Sequence, residues 1–550
     1  MRRQLNSILA GMFASDLLRM TLWSKAPPVL KEVFDFRTIW TRQAASGRHS
    51  LRYRVFMGLG AAFACRKTLM ILALGLPSIV GPILAAQGPT FRTAQAKEHY
   101  GRAIAFSEKS DWNGAVLELN RALRHEPTNL QILIELGIAY GELKDWEQAT
   151  RLHKKAVQLA PSSARAHYNL GVTLDRSRPG KGLGSDEYRK VLQLNPKDVN
   201  ALVNLAVNMG DQQSAEARKL LEKALQLDPK NPEAHFNLGL LHRNARESKR
   251  AVASFERAIE LNPEALEPRR QLVSILVLEE SWDEASKQCE RILNREPDDP
   301  DIRYTYGQTL IRKGLTEEGR KELQRSQADR QKRQLQEELD RLTNQGVTNL
   351  RKGAIADSLG SFNEALAKDA THAPAYMYMG LALASKGDLP RAIEALSKAV
   401  QLDPTNARAH HNLGTVLLQT DKADAALREF ETALKLDPYF PETHNNVGLV
   451  LSGNQQVDKA VEHFEKAAEL NPRYVEAIFN MGLALRSSNR LDEALQAFQR
   501  AASLAPRNPQ VQLAVGMTLK DKGDLKGSQE ALARAKALQK AQPSPPGTSQ

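Results

Sequence analysis

The chain has 550 residues, too many for one ordinary hydrophobic core, and carries a formal net charge of +12. Residues 1–95 contain 13 Lys and Arg against 3 Asp and Glu, a net charge of +10, so the rest of the chain holds only +2. This distribution argues against a body that binds nucleic acid, because interspersed charges of both signs are typical of solvated helix surfaces.

The basic leader, residues 1–95, contains an uncharged run of 19 residues at 68–86, directly after two basic residues. The run is long enough for a marginal transmembrane helix, although Pro77 and Pro82 weaken it. It also fits a secretory signal if translation starts at Met57. We therefore expect 68–86 to be a cleaved signal or an uncleaved anchor, with an unprocessed apolar segment as the remaining alternative.

The leader also bears on localisation. Basic residues precede the apolar run, so a signal or an anchor would place the rest of the chain on the periplasmic or extracellular side of a membrane. A cytoplasmic protein with an unused leader is the alternative. Cys65 and Cys289 have neither metal-ligand nor disulfide spacing, and such sparse cysteine usage is compatible with an oxidising compartment.

A unit of about 34 residues recurs from residue 96 to residue 542. A small residue, usually glycine, marks the first half of each unit, and an alanine usually follows twelve residues later. Prolines end most units at intervals of 33–35 residues: Pro127, Pro161, Pro196, Pro229, Pro263 and Pro297, then Pro404, Pro438, Pro472 and Pro506. This spacing predicts about 13 units, each of two amphipathic helices that approach closely through their small residues.

Two stretches depart from this period. The sequence GKGLG at 180–184 lacks the strand context and GK[ST] motif of a phosphate loop, so an enlarged turn is predicted. Residues 317–342 lack proline and are highly charged, which predicts either elongated helices at a hinge-like junction or a longer solvated second helix. We expect seven repeats in 96–331, six in 332–542 and a disordered tail at 543–550.

This repeat resembles the tetratricopeptide repeat, and the resemblance covers residues 96–542. It implies an all-α fold, a right-handed superhelical solenoid of about 13 helix-turn-helix repeats. The repeats are also similar to the tetratricopeptide portion of protein O-GlcNAc transferases. Because the sequence ends in the last repeat, we expect no catalytic domain like the one that follows the repeats in those enzymes.

Histidine recurs four residues before the small residue, at His99, His167, His235, His410 and His444. Helical spacing places this position on the packing side, and one histidine per repeat is too far from the next to share a metal ion. We therefore interpret these histidines as packing residues between helices. The next residue along the chain is often aromatic, and packing is the favoured interpretation there too, with apolar contact to a partner as the alternative.

Asparagine recurs two residues before the small residue, at Asn169, Asn204, Asn237, Asn412, Asn446 and Asn480. At 100° per residue this position is turned about 200° from the small residue, which predicts a location off the core face. The resemblance implies that these asparagines line the concave groove, where O-GlcNAc transferases hold a peptide backbone with a row of asparagines. We predict a peptide-binding row, with retention after repeat duplication and no use as the alternative.

These patterns predict a scaffold that binds extended peptide or protein partners in its groove. GxSxG, HExxH and EF-hand motifs are absent from the sequence, so we do not expect an enzyme. We also expect no cofactor, no metal ion, no small-molecule substrate and no nucleic-acid partner. Contact with a membrane would come through 68–86. The alternative is a non-catalytic, substrate-presenting subunit of a separately encoded glycosyltransferase or of a secretion or assembly complex.

Overall fold

A computed structural model describes residues 90–210 and 214–541. In this part of the chain all regular secondary structure is helical, and 25 α-helices follow one another through short turns. The described residues divide into two compact units, 90–333 and 334–541. Each unit is considered separately below.

The first unit contains thirteen complete helices and the start of a fourteenth. In chain order these are α1 (Ala94–Glu108), α2 (Trp112–His125), α3 (Leu130–Glu142), α4 (Trp146–Leu159), α5 (Ala164–Ser177), α6 (Ser185–Leu194), α7 (Val199–Met209), α8 (Ser214–Leu227), α9 (Pro232–Asn244), α10 (Ser248–Leu261), α11 (Leu266–Leu278), α12 (Trp282–Leu293), α13 (Pro300–Arg312) and α14 (Thr316–Arg351). The boundary between the two units falls within α14, after residue 333.

The second unit continues the same alternation of helices. It holds the rest of α14, then α15 (Ile355–Lys368), α16 (Ala373–Lys386), α17 (Leu389–Leu402), α18 (Ala407–Gln419), α19 (Ala423–Leu436), α20 (Pro441–Gly453), α21 (Val457–Leu470), α22 (Val475–Ser487), α23 (Leu491–Leu504), α24 (Pro509–Asp521) and α25 (Leu525–Ala541). Consecutive helices pack against each other, and first helices of neighbouring repeats also touch, as α20 and α22 do. This confirms the predicted two-helix repeat.

The recurring glycine lets the two helices of one repeat pack closely around a ring. A Cβ added to Gly448 would lie 2.7 Å from Cε1 of Phe464, and one on Gly482 would lie 2.6 Å from Cε1 of Phe498. Because these rings are fully buried, a larger residue at the glycine would force them apart. The glycine period of the sequence is therefore a packing requirement of each helix pair.

In eleven repeats the turn between the paired helices has a left-handed residue seven positions after the small residue. Four repeats place glycine there, for example Gly387 with φ 87°. Seven others use a residue with a side chain at φ between 57° and 62°: Ser110, Lys144, Arg246, Glu280, Asp421, Gln455 and Asn489. These seven positions carry backbone strain, because a Cβ disfavours the left-handed region.

Two stretches, 180–184 and 317–342, depart from the period of the sequence, and only the first has a structure that follows directly from the prediction. The GKGLG stretch lies in an enlarged turn between α5 and α6, as predicted, and its Gly184 N–H donates a 2.7 Å hydrogen bond to Oδ1 of Asp175. Residues 316–351 form one continuous helix of 36 residues. The charged stretch thus joins the second helix of the seventh repeat to the first helix of the eighth, while a hinge there stays a prediction.

The leader and the tail lie outside the described residues, so the interpretations of 68–86, Met57, Cys65 and 543–550 stay predictions. Within residues 90–210 and 214–541, none of the helices combines the length and apolar character needed to cross a bilayer.

Candidate functional site

The recurring histidines join the two helices of one repeat to the end of the preceding repeat. His410 is 6% exposed; its Nδ1 lies 2.6 Å from Oε2 of Glu429 on α19, and its Nε2 lies 3.2 Å from the carbonyl oxygen of Pro404. His167 makes the equivalent contacts with Glu187 at 2.6 Å and with a proline carbonyl at 3.0 Å. Both histidines are packing residues, as predicted.

The eleventh repeat replaces the acidic partner with a second histidine. Nδ1 of His444 lies 3.0 Å from Nδ1 of His463, and Nε2 donates to the carbonyl oxygen of Pro438 at 3.1 Å. Burial lowers the pKa of His444 to about 4, and burial also lowers the pKa of His463. A neutral pair, in which one Nδ1 donates and the other accepts, fits this contact.

The aromatic residues three positions before the small residue pack inward. Phe479 meets Phe498 of the same repeat with ring centroids 5.4 Å apart, and Phe236 meets Phe255 at 5.9 Å. His411 occupies this position in the tenth repeat, and its ring centroid lies 4.5 Å from that of Phe440. The favoured packing interpretation is thus confirmed at these positions.

The asparagines of the second unit are more buried than their spacing predicts. Asn412, Asn446 and Asn480 are 9%, 8% and 4% exposed. The expectation that this position lies off the core face is wrong for these three, because the first helix of a neighbouring repeat packs beside it, as between α20 and α22. The asparagines therefore lie between adjacent first helices rather than on an open surface.

A hydrogen-bonded network connects these side chains across repeats. Nδ2 of Asn480 donates to Oδ1 of Asn445 at 2.9 Å, and Nδ2 of Asn446 donates to Oγ1 of Thr415 at 3.3 Å. Asn445 and Thr415 were not among the predicted site residues, although they stand only one and three positions from the asparagine row. The positions one before and three after each asparagine follow the same period, and this period could have pointed to Asn445 and Thr415.

Asn412 differs from the other two. Its Nδ2 is buried and has no hydrogen-bond partner. The adjacent residue His411 does have a hydrogen-bond partner, because its Nδ1 lies 2.8 Å from Oγ1 of Thr443. Burial lowers the pKa of His411 to about 4. An unpaired buried donor costs free energy, so Asn412 is the least satisfied member of the row.

In the first unit the asparagines are half-buried. Nδ2 of Asn169 donates to the carbonyl oxygen of Arg165 at 2.9 Å, and Nδ2 of Asn237 donates to that of Glu233 at 2.8 Å, each four residues back in its own helix. Asn204 instead donates to the hydroxyl of Tyr168 at 3.2 Å. An amide has two N–H groups and an acceptor oxygen, so one bond leaves further capacity at each of these residues.

Ion pairs between repeats flank this row in the first unit. Arg165 pairs with Glu135 at 2.5 Å, and Arg176 pairs with Glu142 at 2.6 Å. The guanidinium of Arg176 also lies 5.3 Å from the centre of the Trp146 ring. Partly exposed pairs of this kind each add at most about 1 kcal/mol, so they affect the charge of the face more than its stability.

Other chemistry is sparse in residues 90–210 and 214–541. In that part of the chain, no three His, Cys, Asp or Glu side chains come together as metal ligands. The Cys289 thiol is fully buried in α12, and burial raises its pKa to about 12. A thiol in this state is a poor nucleophile.

The described part of the chain is thus a helical-hairpin repeat array whose first-helix face carries amide, hydroxyl and apolar side chains. Family models described as tetratricopeptide repeats match residues 200–265, 276–339, 407–440 and 447–509, and a model described as TPR repeat matches 380–421. The chain is a tetratricopeptide repeat protein.

Individual relatives match parts of the chain. The type IV pilus assembly protein PilF of Pseudomonas aeruginosa is 31% identical over 132 residues, 24% of this chain and 52% of that protein. The protein O-mannosyl-transferase TMTC3 of Homo sapiens is 24% identical over 225 residues, 39% of this chain and 24% of that protein. The matches thus span about half of the first relative and a quarter of the second.

A solved structure gives a similar partial match. The crystal structure of YrrB, described as a TPR protein with an unusual peptide-binding site, aligns at 28% identity with a TM-score of 0.29. The alignment covers 32% of this chain and 92% of YrrB.

Proposed function

We propose that this protein is a scaffold that binds extended peptide or protein partners along the faces formed by its first helices. One observation carries the proposal: this face presents half-buried amide, hydroxyl and apolar side chains in successive repeats, such as Asn169, Val172, Thr415 and Leu449. Side chains of this kind hydrogen-bond a partner's backbone and cover its apolar groups without requiring a particular charge.

Within this proposal the six predicted asparagines contribute unequally. Asn169, Asn204 and Asn237 are half-buried and retain hydrogen-bonding capacity, so they are the members of the row best placed to meet a partner directly. Asn446 and Asn480 are buried and bonded to neighbouring repeats, which suits them to shaping the face. Peptide binding by the asparagine row rests on this distribution of hydrogen-bonding capacity.

Site-specific photo-crosslinking tests the proposal in the cell of origin. A benzophenone amino acid is placed at Val172 or Leu449 on the first-helix face, and at exposed Lys223 or Lys398 on second helices as matched controls. We expect the first pair to crosslink partner proteins and the second pair to give weaker products or none. Crosslinks that arise only from the two second-helix positions would refute groove binding.

We further propose that the protein acts after export or at a membrane, on the basis of the basic, apolar leader at 68–86. N-terminal sequencing of the mature chain together with cell fractionation tests this proposal. A full-length chain recovered from the soluble cytoplasmic fraction would contradict it.

A second candidate function is a non-catalytic subunit that presents substrates to a separately encoded glycosyltransferase or to a secretion or assembly complex. The partial similarities to an O-mannosyl-transferase and to a pilus assembly protein favour it. Glycosyl transfer that requires both this chain and a partner enzyme would support the candidate. Transfer by the purified chain alone would contradict the proposal that the protein is not an enzyme.

A further inference from the structure

One row of the second unit is apolar along nearly its whole length. It consists of the residue directly after the small residue in each first helix: Val347, Leu381, Thr415, Leu449, Leu483 and Met517. Five of the six are apolar, none is fully buried, and Met517 at the end is 40% exposed. We call these six residues the apolar row.

The surroundings of the apolar row are uncharged in the ninth to eleventh repeats. We consider the positions from three before to five after the small residue that lie within a sector of about 120° centred on the apolar row. In these three repeats none of those positions carries a charged side chain. The residues are Met377, Tyr378, Leu381, Ala384 and Ser385, then His411, Asn412, Thr415, Leu418 and Gln419, then Asn445, Asn446, Leu449, Ser452 and Gly453. In these three repeats charges appear only toward the start of the helices, at exposed Arg408 and Glu442. The twelfth and thirteenth repeats differ, because Arg486 and Asp521 lie in this sector and pair at 2.7 Å.

The corresponding row of the first unit has different neighbours. Val172 stands in that row, but Glu135, Glu142 and Arg176 occupy the same face of the second and third repeats. Arg176 and Glu142 pair across repeats at 2.6 Å, so that face presents alternating charges. An uncharged apolar partner would have to desolvate these groups, which is unfavourable.

The repeat geometry defines the spacing of a matching partner. Packed helices have axes about 8–10 Å apart. An extended or polyproline-II chain advances about 3.1–3.3 Å per residue. Neighbouring residues of the apolar row are therefore separated by the length of about three partner residues. A polyproline-II chain has three residues per turn, so every third side chain lies on one side.

We propose, on the basis of the proposed scaffold function, that the second unit, chiefly through its ninth to eleventh repeats, binds an extended, uncharged segment of a partner that carries an apolar side chain at every third residue. The partner's apolar side chains contact the apolar row, chiefly Leu381, Leu449 and Leu483. Thr415 interrupts the apolar contacts, and half-buried Gln419 and Ser452 offer hydrogen bonds to the partner's backbone. A charged segment is disfavoured because the sector around the row in the ninth to eleventh repeats offers its charges no counterion.

Fluorescence anisotropy with the full chain tests this proposal. The probe is a labelled 18-residue peptide with leucine at every third position and serine, glycine and proline between. An isomer of the same composition has its leucines at every second position, and a third peptide has lysine and glutamate among the spacers. We expect the first probe to bind at least tenfold more tightly than either of the others.

Two variants locate the binding. Leu449→Glu with Leu483→Glu places charge in the apolar row and is expected to weaken binding at least tenfold. Val172→Glu with Val207→Glu makes the matched change in the first unit, and we expect less than a twofold effect. If circular dichroism shows that the first variant has lost structure, Leu449→Gln with Leu483→Gln replaces it, with the same direction expected.

Four outcomes would overturn the inference: equal binding of the two leucine isomers, no binding of any peptide, an equal loss in the two variants, or dimers that Leu449→Glu with Leu483→Glu dissociates. The last outcome would mean that a second copy occupies the face. The scaffold function would survive all four if Val172 or Leu449 still crosslinked cellular partners, so the two failures can be told apart.

Discussion

His153 shows how the residue at a single position of the repeat can make the stability of the fold depend on pH. It occupies the place where five other repeats have a buried phenylalanine, and it is 1% exposed. Nε2 donates to the carbonyl oxygen of Ile134 at 3.1 Å, so Nδ1 of the neutral ring accepts from the Thr173 hydroxyl at 2.8 Å. Burial lowers the pKa of His153 to about 4, which keeps the ring neutral.

His153→Phe is expected to reduce the loss of stability in mild acid. The folded-state pKa lies below the unfolded value, so the unfolded chain binds more protons between about pH 6.5 and 4, and stability falls as the pH drops through that window. The phenylalanine variant should lose about 1–2 kcal/mol less stability than the wild type between pH 7 and pH 5. Urea unfolding at the two pH values measures this, and an unchanged pH dependence would contradict it.

Asn480 and Asn412 form a matched pair for testing the buried network. Asn480→Ala removes a 2.9 Å bond to Asn445 and leaves a buried oxygen unpaired, at an expected cost of about 1–3 kcal/mol. Asn412→Ala removes an amide whose Nδ2 has no partner, so its cost should be smaller by at least about 1 kcal/mol. Urea midpoints of the two variants make the comparison, and equal losses would show that Asn412 is bonded in solution.

At the scale of the helical hairpin, the turn is the least optimised element. Lys144 adopts φ 60° on the surface, where other repeats have glycine. Lys144→Gly should stabilise the chain by about 0.5–1 kcal/mol, because relief of left-handed strain exceeds the extra backbone entropy of glycine. Lys154→Gly, in the exposed interior of α4, is the matched control and should destabilise by about 1 kcal/mol. If both substitutions destabilise equally, the turn is not strained.

For the whole molecule, the period of the sequence was enough to predict helix pairs, because the spacing of small residues is itself a packing requirement. The continuity of α14 could not be predicted from the sequence. Its charged segment has high helix propensity, which fits elongated helices at a junction and a longer second helix equally well. The burial of Asn412, Asn446 and Asn480 was missed because one-helix geometry ignores the neighbouring repeat. Partners emerge only from the fold, since Thr443 lies 32 residues from His411 and His463 lies 19 residues from His444.

A repeat array also predicts how the whole chain tolerates deletion. Stability of such arrays depends on contacts between neighbours, and deletion of the 34 residues 407–440 rejoins one repeat to a similar one. Deletion of the 17 residues 423–439 removes a second helix and leaves an unpaired first helix. We expect the longer deletion to retain helicity per residue and cooperative unfolding by circular dichroism, and the shorter one to lose both. Equal loss in the two deletions would contradict nearest-neighbour stability.

The continuous helix α14 has a mechanical consequence. When the chain is stretched from its ends, a repeat that peels away releases 34 residues, or about 110–120 Å of contour length at 3.3–3.6 Å per residue. The 36 residues of α14 contain no loop at which unwinding of the helix would pause. In an optical trap α14 itself should therefore unwind as one continuous extension, whereas the two helices of an ordinary repeat are separated by a turn.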